Sequence, residues 1–132
     1  MRTEPRRSDL VEPELSYRII GCAYDVSNNL GPGHHEKYYQ RALAESLAEA
    51  GIKFEEQYYF PLRFKTKVVG KGFVDFLVEN KIIVEIKKGD KYSLKHINQV
   101  LEYLKTSGLK LAILINFGTN GVAFKRVVNF DS

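Results

Sequence analysis

The sequence predicts an α/β fold in which a mixed central β-sheet is flanked by helices, with the element order ααβββαββ. Apolar residues recur at helical spacing in three segments, and five segments rich in aromatic and β-branched residues are separated by turn signals. The length of 132 residues allows one hydrophobic core. We therefore expect a flexible N-terminal arm over residues 1–13, where charges and prolines show no period, and a single domain over residues 14–132.

Two helices are expected first. The first covers residues 15–30, where apolar side chains follow each other at helical spacing until Gly31 ends the run. The second ends at Gly51 and carries Tyr39 on its apolar face, with Glu36 at the beginning of that same face. A lone carboxylate on a core-facing stripe is costly unless it is paired or bound to a metal ion. The alternative is that Glu36 only stabilises the first turn through the helix dipole.

Three strands are expected next, over residues 53–64, 68–79 and 82–87. The polar segment between the second and the third is short enough to be a hairpin loop centred on Asn80. The two strands that it joins should therefore pair side by side in the sheet.

The third helix and the last two strands complete the fold. Ser93 is expected to cap the helix and Gly108 to end it. The final strands cover residues 110–116 and 122–128, with a glycine-containing turn between them. The apolar stripe expected on the third helix consists of Leu94, Ile97, Leu101 and Leu104.

Composition limits the class of protein. Apolar residues make up 44% and charged residues 27% of the chain, as is usual for a globular protein, and the net charge of +4 is compatible with a polyanionic partner without requiring one. The single cysteine, Cys22, excludes an internal disulfide and a cysteine zinc site. With this single cysteine we expect a reducing, cytoplasmic location. The first fifteen residues contain no apolar run, so we expect neither a signal peptide nor a membrane anchor.

Two carboxylates are expected to meet on adjacent strands. If the loop is centred on Asn80, Asp75 lies across from Glu85, with the β-carbons about 5 Å apart. Lys87 projects on the same side as Glu85, because residues two apart in a strand share a face. Like charges in a half-buried sheet require a cation between them, and oxygen ligands suit Mg²⁺ or Mn²⁺. The alternative is an ordinary edge hairpin whose charges face water.

Other polar residues surround this pair in the predicted fold. On the third helix His96, Gln99 and Tyr103 are spaced three and four apart and form a polar stripe beside the apolar one. Simple packing of Tyr103 and solvation of Gln99 are the alternatives. The set as a whole strengthens the prediction of a site.

The order and spacing of these residues resemble the GxxExxY protein family, which is placed in the PD-(D/E)XK nuclease superfamily. The matching motifs extend over residues 16–127. The resemblance implies a restriction-endonuclease-like core, that is, the PD-(D/E)XK core with its mixed sheet and flanking helices. The motifs are the segments 33–39, 85–87, 99–103 and 114–118, together with Asp75.

The resemblance also implies roles for single residues. Asp75 and Glu85 match the superfamily's metal ligands, Lys87 matches the residue that orients or activates the attacking water, and Glu36 matches the helix carboxylate that completes the metal site directly or through water. Lys88 departs from the pattern, since a small residue is common there. The residues expected to bind nucleic acid or support the site are Gln99, Tyr103, Tyr39 and His96.

We therefore expect a nuclease that uses Mg²⁺ or Mn²⁺ to hydrolyse phosphodiester bonds of DNA. Positive charge near the phosphate and a nucleophile made from water are what this reaction needs. The alternative is a catalytically inactive module on the same fold that binds nucleic acid or another protein. The expected partner is nucleic acid, with DNA favoured over RNA, and no binding to membranes is expected. The sequence is compatible with a homodimer or a larger complex.

Overall fold

One five-stranded mixed sheet, in the order β1-β2-β3-β4-β5, organises the molecule. It is seen in a computed structural model that describes residues 11–90 and 92–130. The strands are β1 (Phe54–Phe64), β2 (Lys67–Val78), β3 (Ile82–Lys88), β4 (Leu111–Gly118) and β5 (Gly121–Val128), and the helices are α1 (Pro13–Leu30), α2 (Glu36–Glu49) and α3 (Leu94–Ser107). The predicted fold class and element order are confirmed. Residues 1–10 of the expected N-terminal arm lie outside the described residues, and α1 begins at Pro13.

The sheet separates two hydrophobic cores. Helices α1 and α2 pack on one face, where Phe76, Val84 and Ile86 are buried. Helix α3 packs on the other face, against Val74 and Leu114 among others. Among the described residues, no helix is long and apolar enough to cross a membrane.

Helix α3 packs on the sheet with three of the four apolar residues predicted for its stripe, Ile97, Leu101 and Leu104. Its buried residues are His96, Val100, Tyr103 and Leu104, whereas Leu94 is 73% exposed. The predicted stripe was wrong at Leu94, which begins the helix before its first buried residue, His96, and the buried face also includes Tyr103. Ser93 caps the helix as expected, since its hydroxyl accepts a hydrogen bond from the backbone N–H of His96 at 3.0 Å.

The loop between β2 and β3 is centred on Asn80, as predicted. Val78 pairs with Ile82 in the antiparallel ladder, so three residues form the turn. The ladder continues to the pair of Phe76 and Val84 and then ends. Beyond that point β2 pairs only with β1, and β3 pairs only with β4. The two strands therefore form a fork, which opens at Asp75.

Candidate active site

The fork between β2 and β3 brings Asp75 and Glu85 together. They would be the next pair in the register of Phe76 and Val84. Instead of a backbone carbonyl, the Oδ2 atom of Asp75 accepts a hydrogen bond from the backbone N–H of Ile86 at 2.7 Å. The Asp75 carboxylate thus satisfies a donor that the departing strand leaves unpaired.

Strand β1 is irregular beside Asp75, and this irregularity positions the carboxylate. Gln57 lies in the left-handed region with φ 50°, and the pairing of β1 with β2 skips Gln57 and Asp75. The Nε2 atom of Gln57 donates to the Oδ1 atom of Asp75 at 3.3 Å and to Gln40 on α2 at 3.2 Å. Sequence reasoning missed this glutamine, since nothing in its neighbourhood marks a break in the strand.

Glu85 is the buried member of the pair, with 8% of its surface exposed. Burial, and after it the negative charge of Asp75, raise the pKa of Glu85 to about 9, while the ammonium of Lys87 acts in the opposite direction. A carboxyl group with such a pKa is mostly protonated at neutral pH. If a cation displaces this proton, the pair carries two negative charges, one more than Lys87 balances.

Lys87 lies two residues after Glu85 and is exposed. Val84 and Ile86, which alternate with these residues, are buried in the core on the other face of the sheet. The predicted division of β3 into an apolar and a polar face is therefore confirmed.

Glu36 does not occupy the core-facing position that its spacing on α2 suggests. The side chain is exposed, and its Oε1 atom accepts a hydrogen bond from the backbone N–H of Lys88 at 3.1 Å. The first three residues of α2 are exposed and burial begins at Tyr39, so a residue in register with the apolar stripe can still reach solvent here. Glu36 nevertheless lies at the fork, because its partner Lys88 follows Glu85 on the same strand.

Tyr39 supports α2 rather than facing a ligand. It is 1% exposed, and its ring stacks on Phe117 with centroids 4.5 Å apart. Its hydroxyl donates to the carbonyl of Gly31 at 2.7 Å, which holds the loop before Glu36. A nucleic-acid contact is excluded by this burial, and a supporting role for Tyr39 is compatible with it.

His96 and Tyr103 approach the fork from α3. His96 is 8% exposed; burial lowers its pKa, the charge of Lys87 lowers it further, and the carboxylates of Asp75 and Glu36 oppose this. Its Nδ1 atom has no hydrogen-bond partner among the described residues. These interactions bring His96 within electrostatic reach of three predicted site residues.

Tyr103 is held by three neighbours. Gln99 donates to its hydroxyl at 2.9 Å, and its ring stacks on Phe60 with centroids 5.7 Å apart. The ring also lies against the backbone of Gly72, where an added β-carbon would come within 2.8 Å of the tyrosine oxygen. Burial and the negative charge of Glu85 raise the pKa of Tyr103. A glycine inside a strand signals such a close approach, although not which residue makes it.

The donor set can be compared with what a divalent cation requires. In the described part of the chain, no group of three or more His, Cys, Asp and Glu side chains is arranged to hold a metal ion. Mg²⁺ usually takes only one or two carboxylates from a protein and completes its shell with water and substrate phosphate. Asp75 and Glu85 fit this requirement, since together they offer two carboxylates once Glu85 has lost its proton.

A family model covers most of the chain. The model of a family described as the PD-(D/E)XK nuclease superfamily matches residues 13–127. No curated protein matches the chain.

Two solved structures share the fold. The protein SSO0001 is 22% identical with a TM-score of 0.54, over 93% of this chain and 61% of that one. An alkaline exonuclease, LHK-Exo, from Laribacter hongkongensis is 15% identical with a TM-score of 0.54, over 95% of this chain and 76% of that one. The chain thus spans about three fifths of the length of SSO0001.

Proposed function

Because the chain belongs to the PD-(D/E)XK nuclease superfamily, we propose that it is a metal-dependent nuclease that hydrolyses phosphodiester bonds of DNA. The observation that carries the proposal is the pair of Asp75 and Glu85 in the fork, with Lys87 beside it. A structural hairpin gains nothing from two carboxylates that repel each other at a buried position. A nuclease gains a cation site at the place where a phosphate must be bound.

Asp75 and Glu85 would hold a divalent ion, Mg²⁺ or Mn²⁺, with Glu36 as the third ligand that the sequence predicts. When bound, such an ion supplies positive charge near the phosphate and makes water a better nucleophile. Glu36 and Asp75 are kept in place by the N–H groups of Lys88 and Ile86, so both carboxylates are oriented before any ligand arrives. Because these side chains are already ordered, less conformational entropy is lost when a ligand binds.

Lys87 acts on the substrate. In hydrolysis a bond forms from the water oxygen to phosphorus while the bond to the departing sugar oxygen breaks, and negative charge grows on the phosphate oxygens. The ammonium group of Lys87 donates hydrogen bonds, so it orients the attacking water and stabilises that charge. Gln99 and Tyr103 support the site, since Tyr103 lies near enough to Glu85 to have its pKa affected by the carboxylate.

Cleavage assays test the proposal. The purified protein is incubated with labelled single-stranded and double-stranded DNA and RNA, in the presence of Mg²⁺, Mn²⁺ or a chelator. We expect DNA to be cut with either ion and left intact with the chelator. Cleavage that persists in the chelator contradicts metal dependence, and RNA cut in preference to DNA contradicts the substrate. If no substrate is cut, the inactive binding module is the better interpretation.

A further inference from the structure

The far part of the β1–β2 hairpin has an unusual composition. We call residues 58–74 the distal hairpin; they begin after Gln57 and end before Asp75, beyond the fork. They contain no acidic residue and four exposed basic residues, a surplus equal to the net charge of +4 of the whole chain. The rest of the protein is therefore balanced in charge. The basic residues are Arg63, Lys65, Lys67 and Lys71.

The distal hairpin has one covered and one open face. Phe60 stacks on Tyr103 of α3 and is buried, as is Val74. Side chains next to these point the other way, because successive residues of a strand alternate. Tyr59 and Phe73 consequently remain 44% and 51% exposed.

Tyr59 and Phe73 form a single aromatic surface. They are direct partners in the β1–β2 ladder, and their ring centroids are 5.7 Å apart. The ladder on both sides of the pair fixes their backbones, so the surface is formed before a ligand binds. Phe73 lies two residues from Asp75 on the same strand, which is about 7 Å along the backbone.

We propose that the distal hairpin binds an unpaired nucleic-acid strand, with bases stacked on Tyr59 and Phe73 and phosphates near Arg63 and Lys71, which the ladder places on the same face. Basic side chains interspersed with exposed aromatic rings are the combination that single strands require, because their bases are free to stack. Bases inside a duplex offer no such face. This inference rests on the proposed function, since the bound strand continues toward Asp75 and Glu85.

Binding without cleavage tests the stacking surface. The full chain, in EDTA, is titrated with a fluorescein-labelled oligothymidylate and with a blunt duplex of equal length, and anisotropy gives the two Kd values. Tyr59→Ala and Phe73→Ala should each weaken binding of the single strand about tenfold or more and change duplex binding far less. The matched control is Tyr17→Ala, which removes a 79% exposed tyrosine from α1 and should change neither Kd.

The salt dependence tests the binding of phosphates. The slope of log Kobs against log salt should become shallower by about 0.7 for each phosphate of a single strand that the variant no longer neutralises. Arg63→Ala and Lys71→Ala should show this change. Lys81→Ala should not, since Lys81 is an exposed lysine in the loop that follows the opposite end of β2.

Three results would overturn the inference. They are unchanged affinity for the single strand in both aromatic variants, equal weakening for the duplex, and a wild-type dimer that Phe73→Ala dissociates without affecting DNA binding. The last would assign the surface to contact between two copies. If binding depends on the distal hairpin while no cleavage occurs with Mg²⁺ or Mn²⁺, the inference holds and the proposed hydrolysis fails. If the chain cleaves DNA but substitutions in the distal hairpin leave binding unchanged, the proposed hydrolysis holds and the inference fails.

Discussion

The carboxylates of Asp75 and Glu36 accept hydrogen bonds from two N–H groups on the same edge of β3, those of Ile86 at 2.7 Å and Lys88 at 3.1 Å. Residues two apart in a strand direct their N–H groups the same way, and β2 no longer pairs with β3 at these positions. Side chains of the candidate site thus close a gap in the sheet. Their removal should affect the fold as well as the chemistry.

Two substitutions of Asp75 separate its contribution to the fold from its contribution to the chemistry. Asp75→Asn keeps an oxygen that can accept from Ile86 and removes the repulsion from Glu85, so the metal-free variant should unfold at the same or a higher denaturant concentration than wild type. Asp75→Ala leaves the N–H unpaired and should lose about 1 to 3 kcal/mol. Equilibrium urea unfolding gives both values.

Metal binding in the same variants is measured by calorimetric titration with Mn²⁺. A cation that binds only the folded state raises its stability, so Mn²⁺ should raise the Tm of wild type and leave that of both variants unchanged. Equal Mn²⁺ binding in wild type and Asp75→Asn would contradict the assignment of this carboxylate as a ligand.

Glu85 predicts a pH dependence of stability. Its pKa is raised from 4.5 to about 9 in the folded protein, so between these values the native state binds more protons than the unfolded state. The stabilisation is complete below the unfolded pKa and is lost as the pH rises toward 9, with a slope approaching about 1.4 kcal/mol per pH unit. Glu85→Gln, which resembles the protonated acid, should lack this component.

The same proton must leave when a cation binds. The affinity for Mn²⁺ should therefore increase with pH below about 9, by up to about tenfold per unit. Unfolding curves and Mn²⁺ titrations at several pH values check both effects. A constant stability difference between wild type and Glu85→Gln across this range would show that Glu85 is ionised in the folded protein.

Lys87 is compared with its neighbour Lys88. Both side chains are exposed, but only Lys87 shares a face with Glu85. Lys87→Ala should reduce single-turnover cleavage by about a hundredfold or more while leaving Mn²⁺ and DNA binding near normal. Lys88→Ala, which keeps the backbone N–H bound by Glu36, should cut at a rate close to wild type. A wild-type cleavage rate in Lys87→Ala would contradict the role of Lys87 in orienting the attacking water.

Glu36 is the residue at which structure and catalysis are hardest to separate. Glu36→Gln keeps an acceptor for the N–H of Lys88 and removes the charge, so the Tm should change little while the cleavage rate falls by orders of magnitude. Glu36→Ala should lose the hydrogen bond as well and cost about 1 kcal/mol. An intact rate in Glu36→Gln would leave this carboxylate only its structural role.

Gly72 and Gly70 form a matched pair on β2. A β-carbon at Gly72 would come within 2.8 Å of the Tyr103 hydroxyl, whereas at Gly70 the nearest atom is the flexible end of Leu62 at 3.3 Å. Gly72→Ala should therefore cost about 1 to 3 kcal/mol, and should slow cleavage by moving Tyr103. Gly70→Ala should change stability by less than half of that. Stability is measured by urea unfolding and the cleavage rate by single-turnover kinetics. Equal effects of Gly72→Ala and Gly70→Ala would show that the position of Tyr103 does not depend on its close approach to Gly72.

The sequence allows the elements and one register to be predicted because both depend on local patterns. The position of Asn80 in a short polar loop is enough to align Val78 with Ile82. The irregularity at Gln57 could not be predicted, because it lies beside Asp75, at the point where β2 separates from β3. Likewise the exposure of Glu36 depends on where along α2 burial begins, which helical periodicity does not encode.

The pairing of β3 with β4 has a consequence for folding kinetics. Of the pairings in the described sheet it alone is parallel, and Ile82 meets Leu111 only after α3 has crossed between them. The other pairings join strands that are connected by short turns. Their hydrogen-bonded ladders can therefore form progressively, beginning at the turn. Closing the longer loop costs more chain entropy, so the central contact is expected to limit the folding rate. The hairpin of β2 and β3, which carries Asp75 and Glu85, therefore depends on the slowest pairing of the sheet for its support by β4.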